Sequence, residues 1–262
     1  MSVCLPVSVG SLALDGTVDG LGIKWWWTEL AGWWDGADQD QDWLQRTGSS
    51  GLYKGTSTYG GRAIVVKGVA EMMTKPYATL WPQAADKLAA ATDLVEGAAG
   101  LMVVQEATAP KLAEVYRARA PRTRPRASMR IMEFEVPLIA PDHRKYGTTL
   151  HAPGPGVVTN AGNKYATPTV VVTGPAAGPV RVTNATDDGK WVQVGGTMGA
   201  VSLLGGEVLT INMADLSVSI NGADYSAYLE PGSRFWDLLP GANTTSLSGG
   251  GTMAVQFRDA YN

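Results

Sequence analysis

Between residues 169 and 257 the chain breaks into seven short runs of β-branched and aromatic residues, and most gaps between them carry a glycine. The runs are Thr169 to Thr173, Val180 to Asn184, Trp191 to Val194, Val208 to Met213, Leu216 to Ile220, Thr244 to Leu247 and Met253 to Phe257. Turn residues such as Gly174-Pro175, Asp188-Gly189, Asn221-Gly222, Pro240-Gly241 and Gly249-Gly250-Gly251 separate them. No gap leaves room for a helix of useful length. Short strands at this spacing build a β-sandwich or jelly roll.

The stretch before residue 150 has a different character. It holds 16 Lys and Arg against 16 Asp and Glu, whereas residues 151–262 hold 5 against 8. Two domains are expected, 1–149 and 150–262, joined by a linker through APDHRKYG and TTLHAPGPG. In the first domain Ile64 to Val69 and Leu101 to Gln105 read as strands. Met129 to Ile139 reads as a half-buried strand with Met132, Phe134, Val136 and Leu138 inward. Lys111 to Arg119 alternates less cleanly, which suggests a bulged or exposed strand. One helix is expected from Pro82 to Glu96. Pro82 would be its first residue and Gly97 its stop, with Ala85, Leu88, Thr92 and Val95 on one face.

Composition excludes several function classes. Only 17% of the 262 residues are charged and the net charge is −3, so no affinity for DNA or anionic lipid follows from total charge. Cys4 is the single cysteine, and His143 and His151 are the only histidines; the linker position of the two histidines predicts solvated side chains. Zinc chemistry and an internal disulfide lack material. No apolar run reaches the roughly 18 residues of a membrane span. The first fourteen residues lack Lys and Arg, so a secretory leader is not expected and the product is expected to be soluble and made in a cytoplasm.

The chemical motifs fail on inspection. The acidic run Asp35, Asp38, Asp40 and Asp42, aligned as a calcium loop from Asp38, offers Trp43 where glycine is needed and Ser49 where Glu is needed. Gly249, Gly251 and Ala254 match a dinucleotide string but lead into a strand, not a helix. Asn184-Ala-Thr186 and Asn243-Thr-Thr245 are sequons by pattern only. No enzyme, metal or cofactor is expected.

Two clusters remain as candidate interaction surfaces. Trp25, Trp26 and Trp27 stand consecutively, with Trp33, Trp34 and Trp43 close by. On a strand, Trp25 and Trp27 face one way and Trp26 the other, so one side needs cover beyond the domain's own core; a subunit interface or a sugar-binding face would supply it. Arg117, Arg119, Arg122, Arg124, Arg126 and Arg130 form a basic run broken by Pro121 and Pro125. This reads as an extended hairpin tip or a contact with an acidic protein partner. Trp25, Trp26, Trp27, Arg122, Arg124 and Arg126 are therefore the candidate interface residues.

Three stretches resemble the distal tail proteins of long-tailed bacteriophages, especially those of actinobacteria. The first is Tyr59-Gly-Gly-Arg-Ala-Ile-Val-Val-Lys-Gly68, similar to a G-R-x-I strand. The second is Phe134-Glu-Val-Pro-Leu-Ile-Ala-Pro-Asp-His-Arg-Lys-Tyr-Gly147, with His143 where proline is common. The third is Leu229-Glu-Pro-Gly-Ser-Arg-Phe-Trp-Asp-Leu-Leu-Pro-Gly-Ala-Asn243. The resemblance implies a mainly β protein, with a tail-tube-like first domain bearing one helix and a galectin-like second domain; Trp191 and Trp236, the only tryptophans of that second domain, read as core residues. It also implies a structural virion protein without catalysis, a homohexameric ring at the distal end of the tail, assembled in the host cytoplasm. The implied partners are the tail tube protein, a tail-tip hub protein and receptor-binding or other minor tail proteins, with DNA only in transit. A carbohydrate-binding module acting in adsorption is the alternative, since fold alone does not assign a ligand.

Overall fold

The structure, a computed structural model, describes residues 5–35, 39–45, 52–93, 99–126 and 129–262, and for 39–45 and 52–59 the backbone only. The chain divides into two compact units. Met1–Lys145 with Asn262 forms the first, and Tyr146–Tyr261 the second.

The first unit contains β1 (Val7–Val9), β2 (Leu12–Ala13), β3 (Asp15–Val18), β4 (Ile23–Ala31), β5 (Gln39–Gln45), β6 (Leu52–Tyr59) and β7 (Arg62–Met72). The helix α1 (Tyr77–Ala91) follows, then β8 (Gly100–Gln105), β9 (Pro110–Arg117), β10 (Arg122–Pro125) and β11 (Ile131–Ala140). The strands run in the order β2-β1-β8-β9-β11-β7-β4-β3, all neighbours antiparallel, and β5 pairs with β6 as a separate hairpin. Period-two alternation explains the long strands. In β7, Ile64, Val66, Ala70 and Met72 are all 0% exposed, while Val65, Lys67, Val69 and Glu71 on the other face are partly open. On β11 the expected inward set of Met132, Phe134, Val136 and Leu138 is buried. Gly68 sits where β7 passes closest to its neighbours, since a Cβ there would lie 2.4 Å from the Trp26 carbonyl oxygen and from Phe134.

Two expectations for this unit need correction. Helix α1 begins after Pro76, not at Pro82, which lies inside it, and ends at Thr92. Its buried residues are Ala84, Leu88 and Ala91, and Thr92 closes it by donating Oγ1 to the Leu88 carbonyl at 2.7 Å. Pro82 is exposed and costs the helix one hydrogen bond in its second turn, which packing of the other face outweighs. Val95 and Gly97 lie outside the described residues. Strand β9 is neither bulged nor exposed. Its register with β8 is unbroken from Gly100↔Val115 to Gln105↔Pro110, and Lys111, Leu112, Ala113 and Val115 are all buried.

At the junction lies β12 (Lys145–Gly147). The second unit contains β13 (Gly156–Asn160), β14 (Thr169–Thr173), β15 (Val180–Asn184), β16 (Lys190–Val194), β17 (Val208–Asn212) and β18 (Ser217–Ile220). Then come β19 (Ala223–Asp224), β20 (Gly241–Ser248), β21 (Thr252–Gln256) and β22 (Ala260–Tyr261). Two antiparallel sheets, β13-β20-β15-β16 and β19-β18-β17-β14-β21, share one core of valines and leucines with Trp236, Leu238, Met253 and Phe257. This is the expected sandwich.

Strand β13 begins at Gly156, the last residue of the stretch that reads from sequence as a linker, and runs on through residues for which the sequence reading gives no strand. Val158 and Asn160 face inward, and the polar asparagine hides the alternation. The rest of that segment is also tied down. Arg62 reaches the His143 carbonyl, Lys145 is 6% exposed, and the Gly147 amide donates to the Asp259 carbonyl at 2.9 Å.

Candidate interaction surface

Strand β4 carries the tryptophans. Trp25 is 1% exposed and lies inside the unit's own core, 5.8 Å from the Phe134 ring centroid, with its indole N–H donated to Asp19. It therefore offers no surface. Trp27 is half-buried against the same core and donates Nε1 to the Leu5 carbonyl at 2.7 Å; a register shift follows it. Trp26 points the other way. It is half-buried beneath the Lys24 ammonium, 5.0 Å from its ring centroid, and pairs across the sheet with Val69. Trp33, by contrast, is a core residue at 0% exposure, while Trp34 is 51% exposed. The side chains of Trp43, Asp40 and Asp42, and the whole of Asp38 and Cys4, lie outside the described residues.

The basic run forms a hairpin arm. Strand β10 pairs with β11 from Arg122↔Glu135 to Pro125↔Met132, and the Arg126 amide donates to the Ile131 carbonyl at 2.9 Å. That bond sets the phase of the ladder. The backbone groups of Arg122, Arg124 and Arg126 turn toward β11, and those of Thr123 and Pro125 turn to the free edge. Pro121 shares their parity. Prolines thus stand at two of three edge-facing positions and leave Thr123 as the only amide donor there.

Of the six arginines, four have carboxylate partners: Arg117 with Asp93, Arg119 with Glu135, Arg126 with Glu133 and Arg130 with Glu71. Arg122 and Arg124 are exposed and have none among the described residues. Both line an open groove of about 870 Å³ on the sheet face, with Lys67, Glu133 and Phe134 among its other walls.

Sequence reasoning missed a buried polar knot that the first motif anchors. Arg62 is 3% exposed and donates to the carbonyls of Gly32, Trp33, Asp35 and His143. Burial pushes its pKa down, against the pull of Asp35 and Glu106. Beside it Glu106 accepts from Trp33 Nε1 at 2.9 Å and from Lys145 Nζ at 3.1 Å. In the second motif Asp142 accepts from the Arg144 amide and guanidinium, closing a tight turn. The only sequence signal for this knot is the Arg62 and Lys145 positions within the two motifs.

The third motif is a strap pinned by three buried side chains, Trp236, Leu238 and Asn243. Trp236 is 2% and Leu238 0% exposed. Gly241 turns the chain at φ +91°, and Asn243, fully buried, accepts from the Leu239 amide and donates to the Leu239 and Gly241 carbonyls. Asn184 holds the Asp237 carbonyl at 2.8 Å. Both sequon asparagines are thus inside the sandwich. Trp191, expected in the core, is instead half-buried, and the Arg181 guanidinium covers its ring at 4.0 Å.

The histidines are not simply solvated. The His143 side chain is 12% exposed, and His151 stacks on Phe257 with its Nε2 3.2 Å from Asp259. Among the described residues no serine, threonine or cysteine bonds to the His151 ring, and no group of three His, Cys, Asp or Glu side chains gathers to hold a metal. No described helix is long and apolar enough to cross a membrane.

Residues 161–261 match the family described as siphovirus-type tail component, C-terminal domain. Residues 161–261 are thus similar to the C-terminal domain of siphovirus-type tail components, in line with the likeness to phage distal tail proteins. The chain is similar in fold to the Dit protein of phage SPP1, described as a paradigm of the hub adsorption apparatus in phages infecting Gram-positive bacteria. The two are 14% identical with a TM-score of 0.70, over 98% of this chain and 99% of that one. A chain of the phage P2 baseplate in its activated, calcium-containing conformation is 8% identical with a TM-score of 0.51, over 96% and 97%. None of the curated proteins matches the chain in sequence.

Proposed function

We propose that this chain is the structural hub at the distal end of a siphovirus tail, without catalytic activity of its own. Residues 1–149 assemble as a six-membered ring that joins the tail tube to the tail tip or baseplate. Residues 150–262, a galectin-like sandwich, face outward and carry other tip or receptor-binding proteins. DNA meets the chain only in transit, and the protein assembles in the host cytoplasm before it joins the virion. The observation that carries this reading is the tail-component match over residues 161–261, set within a fold shared end to end with a hub protein.

Electron microscopy of the purified full chain, alone and with its tail tube protein, tests it. Six-membered rings with a central opening are expected, and Trp26→Glu should weaken them. Monomers under both conditions would overturn the ring. Specific binding on a glycan array, with no ring formed, would move the assignment to a carbohydrate-binding module.

A further inference from the structure

Charge pairing around the groove leaves a remainder of one sign. Glu133 is taken by Arg126, Glu135 by Arg119 at 3.6 Å, and Lys67 by Glu29 at 3.0 Å. Arg122 and Arg124 line the same groove, are exposed, and have no carboxylate among the described residues. Each stands across the ladder from a glutamate, Arg122 from Glu135 and Arg124 from Glu133, but neighbouring arginines hold both. Two guanidinium forks therefore keep their donors for an acceptor from outside, and a carboxylate matches that fork with two parallel bonds.

Spacing narrows the ligand further. Residues two apart on a strand lie about 7 Å apart and point to the same side. Alternate side chains of any extended peptide share that spacing, so carboxylates at positions i and i+2 reach both arginines at once. A nucleic-acid backbone, charged at every phosphate, would set some of those charges against Glu133 and Glu135 in the same wall. The groove is open and about 870 Å³, which suits a short length of chain lying across the sheet. Pro121 and Pro125 deny such a chain a backbone ladder on the β10 edge, so side chains must hold it. We propose that the groove bearing Arg122 and Arg124 takes an extended acidic segment of a partner protein, with Asp or Glu at alternate positions. A single chain offers this contact, whether or not it stands in a ring.

Fluorescence anisotropy on the full chain tests the contact. The probes are a labelled peptide of alternating Glu and Thr, an isomer of the same composition with its Glu in one block, and an oligothymidylate of equal charge. The alternating peptide binds wild type, more weakly as salt rises, and its isomer binds clearly less well. Arg122→Gln/Arg124→Gln, with both changes at exposed positions, keeps its melting temperature and binds the alternating peptide about tenfold more weakly, the loss for two exposed ion pairs. No binding by the alternating peptide overturns the site, and so does equal binding to wild type and variant. An isomer that binds as well as the alternating peptide overturns the i, i+2 match. Tighter binding of the oligothymidylate than of the peptide, lost in the variant, makes this a phosphate site and overturns the acidic segment.

Discussion

Trp236 fills the centre of the second core, yet its indole N–H has no hydrogen-bond partner among the described residues. Trp236→Ala should therefore cost about 3–5 kcal/mol, the usual loss for a large aromatic core truncation. Trp236→Phe should cost far less, because it also removes a buried donor whose isolation costs about 1–3 kcal/mol. Urea unfolding of both variants checks this, and an alanine loss below about 1 kcal/mol would put the side chain outside the core. Asp19 poses the opposite case in the first unit. Burial raises its carboxyl pKa, but Lys87 at 2.7 Å, the amides of Ile23 and Leu21 and the Trp25 indole outweigh it and hold the group below its ordinary 3.8. The ionised form is the one the fold favours, so its stabilisation is complete above pH 3.8 and drains away as pH falls through the lower folded value. Melting curves should show wild type well above Asp19→Asn near neutrality, with the gap closing in acid below about pH 4. A gap that stays constant with pH would refute the assignment. Neither role shows in the sequence. Asp19 reads as one polar turn residue among many, and Arg62 binds carbonyl oxygens, which leave no trace in composition.

Elements were legible where glycine and proline punctuate and where one face is apolar. The strands β14, β15, β17 and β21 and the inward set of β11 follow from those two signals alone. Legibility failed where a polar or helix-breaking residue occupies a structured position. Asn160 conceals β13, and Pro82 makes a helix interior look like a helix start. Strand β10 shows a further use of proline, because Pro121 and Pro125 blunt an edge that would otherwise accept a foreign strand. Pro121→Thr/Pro125→Thr restores two edge donors. Light scattering of the variant should rise steeply with concentration under conditions where wild type stays clear. A variant as clear as wild type would show that the prolines serve some other purpose.

The second unit has its own two-sheet core, and residues 146–261 should fold alone with an all-β far-UV spectrum and a single cooperative melt. A disordered spectrum would mean that the unit leans on its neighbour. The sequence places the change of character near residue 150 through charge density, but Ala140 belongs to β11 and Lys145–Gly147 form β12, so the segment read as linker is partly strand. The hydrogen bonds between Gly147 and Asp259, His151 and Phe257, and Pro153 and Val255 lay the unit's entering and leaving segments side by side. Neighbouring ends make the unit a cassette. A short linker could fuse them and the Asn221-Gly222 hairpin could be cut instead, giving a circular permutant with the same core. By the same geometry the unit could be spliced into a surface loop of an unrelated host protein without prising that loop apart.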